Sequence, residues 1–378
     1  MANTLNNLIP DLYAAMDVVS RELVGFVPAV MIDGQAARAA VGETVRSPVA
    51  PPAVATDVTP GVTPPDDGDQ TIGNRTMTIT KARRVSVRWN GEQTLGINNG
   101  PGVLTVRAQQ FAQAIRTLVN EIEADLALLY KTTSRAYGTA GTAPFGTAGD
   151  YSDAAFVRKI LVDNGAPTSD LQLVINTTAG ATFRGKQSQA QMAGSEQLQR
   201  QGVLLDVHGM SIRESAQVKN HVKGTGASYQ VNNVANYAAG ATAIAVDTGT
   251  GTVLAGDVVT FADDANKYVT GTALAAGSMA LNEPGLQAAL ANDTAMTVGN
   301  GYAANMAFDR SAIALSTRAP ALPAEGDMAV DRFMMTDPRS GLTFEVSVYP
   351  QYRQVQHEIS IAWGVANYKP EHTALLLG

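Results

Sequence analysis

One stretch constrains the architecture more than any other. From Leu104 to Gly138, LTVRAQQFAQAIRTLVNEIEADLALLYKTTSRAYG sets Phe111, Ile115, Leu118, Ile122, Leu126 and Leu129 on one stripe at helical spacing. Thr105 is suited to cap the start, Lys131 and Arg135 to meet the negative end, and Gly138 to stop the helix. About 30 residues at ~1.5 Å each predict a rod of roughly 45 Å, longer than the ~30 Å width of a small domain. Such a rod lies along a flat or elongated subunit, or leaves it. A coiled coil would need heptads that continue beyond this helix, and none do.

The segment before the rod, Val41 to Gly91, predicts a long projecting hairpin. Its middle is rich in Pro, Thr and Asp. Pro51, Pro52, Pro60, Pro64 and Pro65 remove ladder donors and favour extended backbone. On the return side Val85, Val87 and Trp89 alternate with Ser86 and Arg88, the period of a strand with one apolar face. An interdomain linker shares this composition but seldom has strand-like shoulders. The acidic tip (Asp66, Asp67, Asp69) and the basic return strand (Lys81, Arg83, Arg84, Arg88) are candidate contacts between subunits, because complementary charge steers one copy onto another. The alternative is a solvated face, whose exposed ion pairs contribute only about 0–1 kcal/mol each. Further upstream, Leu8, Leu12, Met16, Val19 and Leu23 recur at helical spacing, with Pro10 suited to a first turn and Pro28 closing the run. Periodicity leaves open whether this amphipathic arm lies on its own core or on a neighbour.

Beyond the rod, YSDAAFVRKILVDNG (Tyr151 to Gly165) predicts a short helix capped by Ser152, and LQLVINTTAG (Leu171 to Gly180) a buried strand. The runs GSEQLQRQ and VLLDVHGMSIRESAQV complete an α+β region, which resumes near Ala307 with AFDRSAIALSTRAP and ends in LTFEVSVYPQYRQ and HEISIAWGVANYKPE. Between the two halves, from about Val222 to Gly301, ATAIAVDTGTG, GDVVTFADD, NKYVTGT and AMTVG read as short strands separated by Gly, Asp and Asn turns. They predict a small barrel or sandwich inserted in a loop of the larger domain.

Chemistry-bearing motifs are few. GATFRGKQ, Gly180 to Gln187, follows a strand and fits G-x-x-x-x-G-K, which would make a phosphate-binding ATPase the rival reading through Lys186, with VLLD ending at Asp206 as its second motif. Gln187, however, stands where a Ser or Thr hydroxyl must reach Mg²⁺. His208, His221, His357 and His372 are scattered without metal-site spacing, and read as structural or exposed. Asp263 and Asp264 in FADDAN adjoin rather than alternate, so they predict a polar turn and not a calcium loop. No cofactor, metal site or catalytic residue is expected. With no cysteine, disulfides and thiolate chemistry are excluded, which fits assembly in a reducing cytoplasm. The start lacks a secretory pattern and no apolar run is long enough to cross a membrane, so neither a membrane location nor secretion as an adhesin is expected. Charged residues are 16% of the chain, against roughly 25% in ordinary soluble proteins, so much of its surface is expected to be covered by something other than water. The net charge of −7 carries no basic tail to grip phosphates.

The order of these parts resembles the major capsid proteins of tailed bacteriophages, in particular short-tailed phage coat proteins with an insertion domain. The stretches that carry it are NLIPDLYAAMDVVSRELVGFVPAV, VNEIEADLALLY, LQLVINTTAGATFRGK with GVLLDVHGMSIRES, GDVVTFAD, AFDRSAIALSTRAPALP and AWGVANYKPE. The resemblance implies an α+β fold with an N-terminal arm (1–32), an extended E-loop hairpin (33–100), a spine helix of the P-domain (101–147), a first part of the A-domain (148–221), an inserted β-barrel or sandwich (222–301) and closing A/P-domain strands (302–378). It also implies a non-catalytic subunit that assembles in many copies, as hexamers and pentamers, into an icosahedral shell. Scaffolding protein and portal would help, in the host cytoplasm, and the virion shell would enclose double-stranded DNA without reading its sequence. An encapsulin-like nanocompartment shell, built on the same fold around an enzyme cargo, is the nearest alternative.

Overall fold

The computed structural model describes residues 24–35, 37–49, 53, 55–58, 60–63, 68–97, 103–146, 151–187, 204, 206–337 and 340–378. Most of the predicted N-terminal arm, Asp66 and Asp67 of the hairpin tip, and the run GSEQLQRQ lie outside them.

The rod is present but shorter than its pattern. Helix α2 covers Val103–Ala127, after a short α1 at Gly91–Ile97, and its 25 residues span about 37 Å. Leu118, Ile122 and Leu126 are buried, as the stripe predicts. The helix then tightens into a 3₁₀ turn, Leu128–Thr132, and the chain leaves it as strand β5, Arg135–Tyr137. The cause is local. Thr132 and Thr133 donate their hydroxyls to the Leu129 and Tyr130 carbonyls at 2.7 and 2.8 Å, and the Ser134 amide donates to the Thr373 carbonyl at 3.1 Å, an edge that competes with the helix. Arg135 therefore does not meet a helix end. It is buried in a strand, donating to Asn266 at 2.9 Å and Asn164 at 2.7 Å. Gly138, expected as a helix stop, has φ +98° and instead passes the C-terminal strand so closely that a Cβ would sit 2.9 Å from the Leu377 carbonyl.

Two sheets pack around this helix. The first combines β1 (Met31–Asp33), β4 (Lys81–Asn90), β16 (Ile313–Arg318), β17 (Asp331–Thr336), β18 (Thr343–Gln351) and β19 (Gln354–Asn367). The 14-residue β19 is its axis, pairing with β4 along one edge and, end to end, with β18 and β16 along the other. Its core side, including Phe344, Val346, Ile359, Ile361 and Trp363, meets Leu118, Ile122 and Leu126 of α2 in one cluster. The second sheet has at its centre β5, β20 (Thr373–Leu377), β15 (Tyr302–Asp309), β6 (Leu171–Ile175) and β7 (Met210–Glu214), with the two-residue β8 (Asn220–His221) also on β15. Helices α3 (Ser152–Asp163) and α4 (Thr177–Gln187) supply Val157, Leu161 and Phe183 to its core. Tyr151, not Ser152, stands at the cap position of α3 and caps without its side chain.

The β-rich segment between His221 and Tyr302 has its own cluster, with Val231, Ile244, Phe261, Tyr268, Leu281 and Met296 at its centre. Its strands are β9 (Tyr229–Val231), β10 (Ala243–Asp247), β11 (Val258–Phe261), β12 (Lys267–Val269), β13 (Ser278–Ala280) and β14 (Ala295–Val298). They continue the second sheet rather than hang from a loop, because β12 pairs with β5 through Lys267↔Ala136 and Tyr268↔Arg135. The turn at Asp263 and Asp264 is polar as expected: Asp264 accepts from the Asn266 amide at 2.9 Å and from the Tyr268 hydroxyl at 2.6 Å.

Candidate functional site

The predicted hairpin divides into two parts. Its arm is a two-stranded ladder, β2 (Thr44–Val49) with β3 (Gly73–Thr78), in register from Thr44↔Thr78 to Val49↔Gly73. An isolated two-stranded ribbon is marginal in water and needs a surface to lie on. Beyond the ladder Val58 and Val62 are fully exposed, and Ile72 is 66% exposed. The return side does not stay in the arm. At Thr78 to Thr80 the chain crosses β19 and enters the first sheet as β4. The Thr80 amide donates to the Trp363 carbonyl at 3.0 Å, and Ile79 is buried with Ala39 and Ala362. Gly364 makes the crossing possible, since a Cβ there would stand 2.2 Å from the Thr78 carbonyl.

The candidate contact charges are thus separated. Lys81 reaches Asp125 at 2.8 Å and Glu121 at 3.5 Å, Arg83 reaches Glu121 at 3.1 Å, and Arg84 pairs with Glu358. Lys81 and Arg83 therefore brace β4 against the long helix, and Arg84 pairs across the sheet with β19 of the same chain. Trp363 joins them, donating its indole N–H to Asp125 at 2.9 Å. Arg88 is exposed opposite Gln356, and Asp69 is exposed near the tip. Val87 is buried and Val85 and Trp89 half-buried, the alternation the sequence predicts for this strand.

Two buried polar centres were not singled out by the sequence. Glu123 sits on the apolar stripe of α2, between Ile122 and Leu126, and that placement was the available signal. It accepts from the Phe26 amide at 3.1 Å, the Val27 amide at 2.7 Å and the Ser215 hydroxyl at 2.9 Å, and so fixes where the N-terminal chain joins the body. Burial pushes its pKa above the ordinary glutamate value, against hydrogen bonds that lower it. The second centre is His221, which contacts the Tyr130 hydroxyl through Nδ1 at 2.8 Å and Asp257 through Nε2 at 2.7 Å. Asp257 also accepts from the Leu254 amide at 2.7 Å and the Gly224 amide at 3.1 Å, tying the β-rich segment to the end of the long helix.

Gly180 to Lys186 does not form a phosphate loop. These residues lie in α4, where the Gly180 amide already donates to the Asn176 carbonyl and Gly180 packs on the Glu214 carboxylate, while Arg184 pairs with Glu214. Backbone amides committed to a helix cannot wrap a phosphate. Of the histidines, His221 and His372 are buried, His357 is half-buried against Phe111 and Arg107, and His208 is exposed in a turn at φ +54°.

The chain is a mixed α/β subunit with a long helix packed on its sheets and a two-stranded ribbon that rests on the body through Met77. No protein-family model matches the chain, and no curated protein matches its sequence. Among solved structures, the capsid structure of the cyanophage P-SCSP1u is similar at 13% identity, with a TM-score of 0.51 over 95% of this chain and 89% of that one. A chain of the bacteriophage PhiM1 mature capsid aligns over 100% of this chain and 90% of its own, at 10% identity and a TM-score of 0.47. A virus-like particle from Pyrococcus furiosus aligns over 98% and 100%, at 9% identity and a TM-score of 0.40. The chain has the fold of a phage capsid subunit.

Proposed function

We propose that this chain is the major capsid protein of a tailed phage, a non-catalytic subunit that closes with many copies of itself into an icosahedral shell around double-stranded DNA. The observation that carries this reading is the segment beyond the β2–β3 ladder, where Val58, Val62 and Ile72 stand exposed among the described residues. Exposed apolar side chains on an extended ribbon are stabilised when a neighbouring copy buries them. The net charge of −7 suits a wall that holds DNA at high density without adhering to it.

In this reading residues 33–100 act as the E-loop, α2 is the spine, and the β-rich segment 222–301 braces the subunit from the edge of the second sheet. Asp66, Asp67, Asp69 and Arg88 remain candidates for contacts between copies, and scaffolding protein and portal are the expected assembly partners. Electron microscopy of the expressed protein, alone and together with the product of the adjacent upstream gene, tests the proposal. Closed shells are the expected result. A compact monomer at high concentration, with the arm folded onto its own body, overturns it. Shells that contain a cargo enzyme instead of scaffold or DNA would favour a nanocompartment.

A further inference from the structure

The first sheet has two long open edges, and they differ in how they are protected. Along one, β4 carries Lys81, Arg83, Arg84 and Arg88, and charged side chains on an edge discourage its pairing with another chain. The other is β17, Asp331–Thr336, which among the described residues pairs with β18 alone. Its middle holds Phe333 and Met334, 48% and 53% exposed, and as neighbours in a strand they lie on opposite faces.

The ladder fixes which backbone groups of β17 turn outward. The Asp337 amide donates to the Leu342 carbonyl at 2.9 Å, and the Val348 carbonyl, opposite Asp331, accepts from the Val330 amide at 2.9 Å. Bonded pairs alternate along an antiparallel ladder, so Asp331, Phe333 and Met335 bond to β18 and the N–H and C=O groups of Arg332, Met334 and Thr336 point away from the sheet. The Arg332 amide accordingly donates to the exposed Asp331 carboxylate, at 2.9 Å, and not to β18.

We infer that β17 of one copy pairs antiparallel with β17 of a second copy, across a twofold axis that passes beside Phe333. A strand that pairs with itself does so about an axis perpendicular to the sheet, which sets only residues of the same face opposite each other. Charge then selects the register. Centring the pair on Asp331 or Arg332 sets that charge against itself, centring on Met334 sets Asp331 against the partner's Asp337, and centring on Met335 sets Phe333 against the partner's Asp337. Centring on Phe333 avoids all of these. It sets Arg332 against the partner's Met334 and closes four backbone hydrogen bonds between groups that already face outward. On one face the two Phe333 rings meet, with a Met335 beside each, in a single apolar patch. The Arg332 guanidinium is engaged by Asp327 of its own chain, so it brings no free cation to the contact. Six residues a side bury too little for a stable dimer, so the contact is weak alone and gains by repetition. It goes beyond the arm: in a shell it supplies a second, symmetric contact that the segment beyond β2 and β3 does not make.

The absence of cysteine from the chain allows a clean test that does not require assembly. In this register the two Cα atoms of residue 333 lie about 4.5 Å apart, within disulfide reach, whereas those of residue 335 lie about 14 Å apart. Full-length Phe333→Cys, oxidised mildly below the concentration at which shells form, is expected to give disulfide-linked dimers roughly ten-fold faster than Met335→Cys or the remote, exposed Val234→Cys. Equal rates would overturn the pairing. Met334→Pro in the Phe333→Cys background removes an outward N–H that the subunit itself does not use, a substitution an edge strand tolerates. It is expected to slow dimer formation several-fold while thermal unfolding of the reduced protein stays unchanged, and an unchanged rate would count equally against the proposal. The outcome is separate from the capsid reading: shells without preferential linkage at residue 333 remove this contact alone, and linked dimers that never form shells remove the capsid reading alone.

Discussion

Two residues carry more of the architecture than their size implies. Gly364 lies where the base of the arm crosses β19, and a methyl group added there would meet the Thr78 carbonyl at 2.2 Å. Backbone cannot retreat as a flexible side chain can, so Gly364→Ala should lower stability by about 1–3 kcal/mol, the usual cost of overpacking. Thermal unfolding of the dispersed subunit reads this, and an unchanged midpoint would mean that the crossing is loose. Glu123 makes a different prediction because its pKa is raised by burial. The folded state then keeps its proton to higher pH than the unfolded chain, whose value is near 4.5. Its contribution to stability is greatest below that value and is lost as pH rises through the folded value. Relative to Glu123→Gln, the wild-type protein should therefore lose stability between acid and neutral pH in a series of urea titrations; a gap that widens in favour of the wild type would show that the hydrogen bonds outweigh burial. Glu123→Leu goes further. It leaves the amides of Phe26 and Val27 without their acceptor, and each orphaned donor costs about 1–3 kcal/mol.

At the scale of elements, the arm should be separable from folding. The β2–β3 ladder rests on the body through Met77 and Ile79, whereas Pro51 to Asp69 lie beyond its last paired residues, Val49 and Gly73. Deleting Pro51 to Asp69 should leave circular dichroism and thermal unfolding of the subunit close to those of the intact protein while preventing normal shell closure in electron micrographs. Closure without those residues would remove the arm from assembly. The elements themselves were unevenly legible. The stripe located α2 and the alternation located β4, each of which turns one face to the body, whereas β6 was legible from a continuous apolar run and is buried at every position. The end of the rod was not legible, since Leu128 to Thr132 keeps the helical apolar pattern while side-chain hydroxyls and the β20 edge redirect the backbone. Strand β20 was overlooked for the opposite reason: TALLL is buried on both faces, with no alternation to read. The charges of the return strand were visible as a cluster, but their partners Glu121, Asp125 and Glu358 are up to 274 residues away and no local pattern announces them.

For the whole molecule the distribution of charge makes the sign of one further effect predictable. Three cations that had been candidates for attracting a neighbour are engaged by acids of their own chain, so they add little to a positive patch. What one copy shows another is then a net charge of −7, an acidic residue at Asp69, and the exposed apolar side chains of the arm. Contact between copies sets apolar burial, which added salt does not weaken, against like-charge repulsion, which it screens within about 10 Å at 0.1 M ionic strength. Assembly should therefore accelerate and reach further toward completion as sodium chloride is raised from tens of millimolar to about 0.5 M, followed by light scattering at fixed protein concentration. Were complementary charge between tip and return strand the dominant attraction, the same titration would slow assembly, since screening would then weaken the contact that holds the copies together.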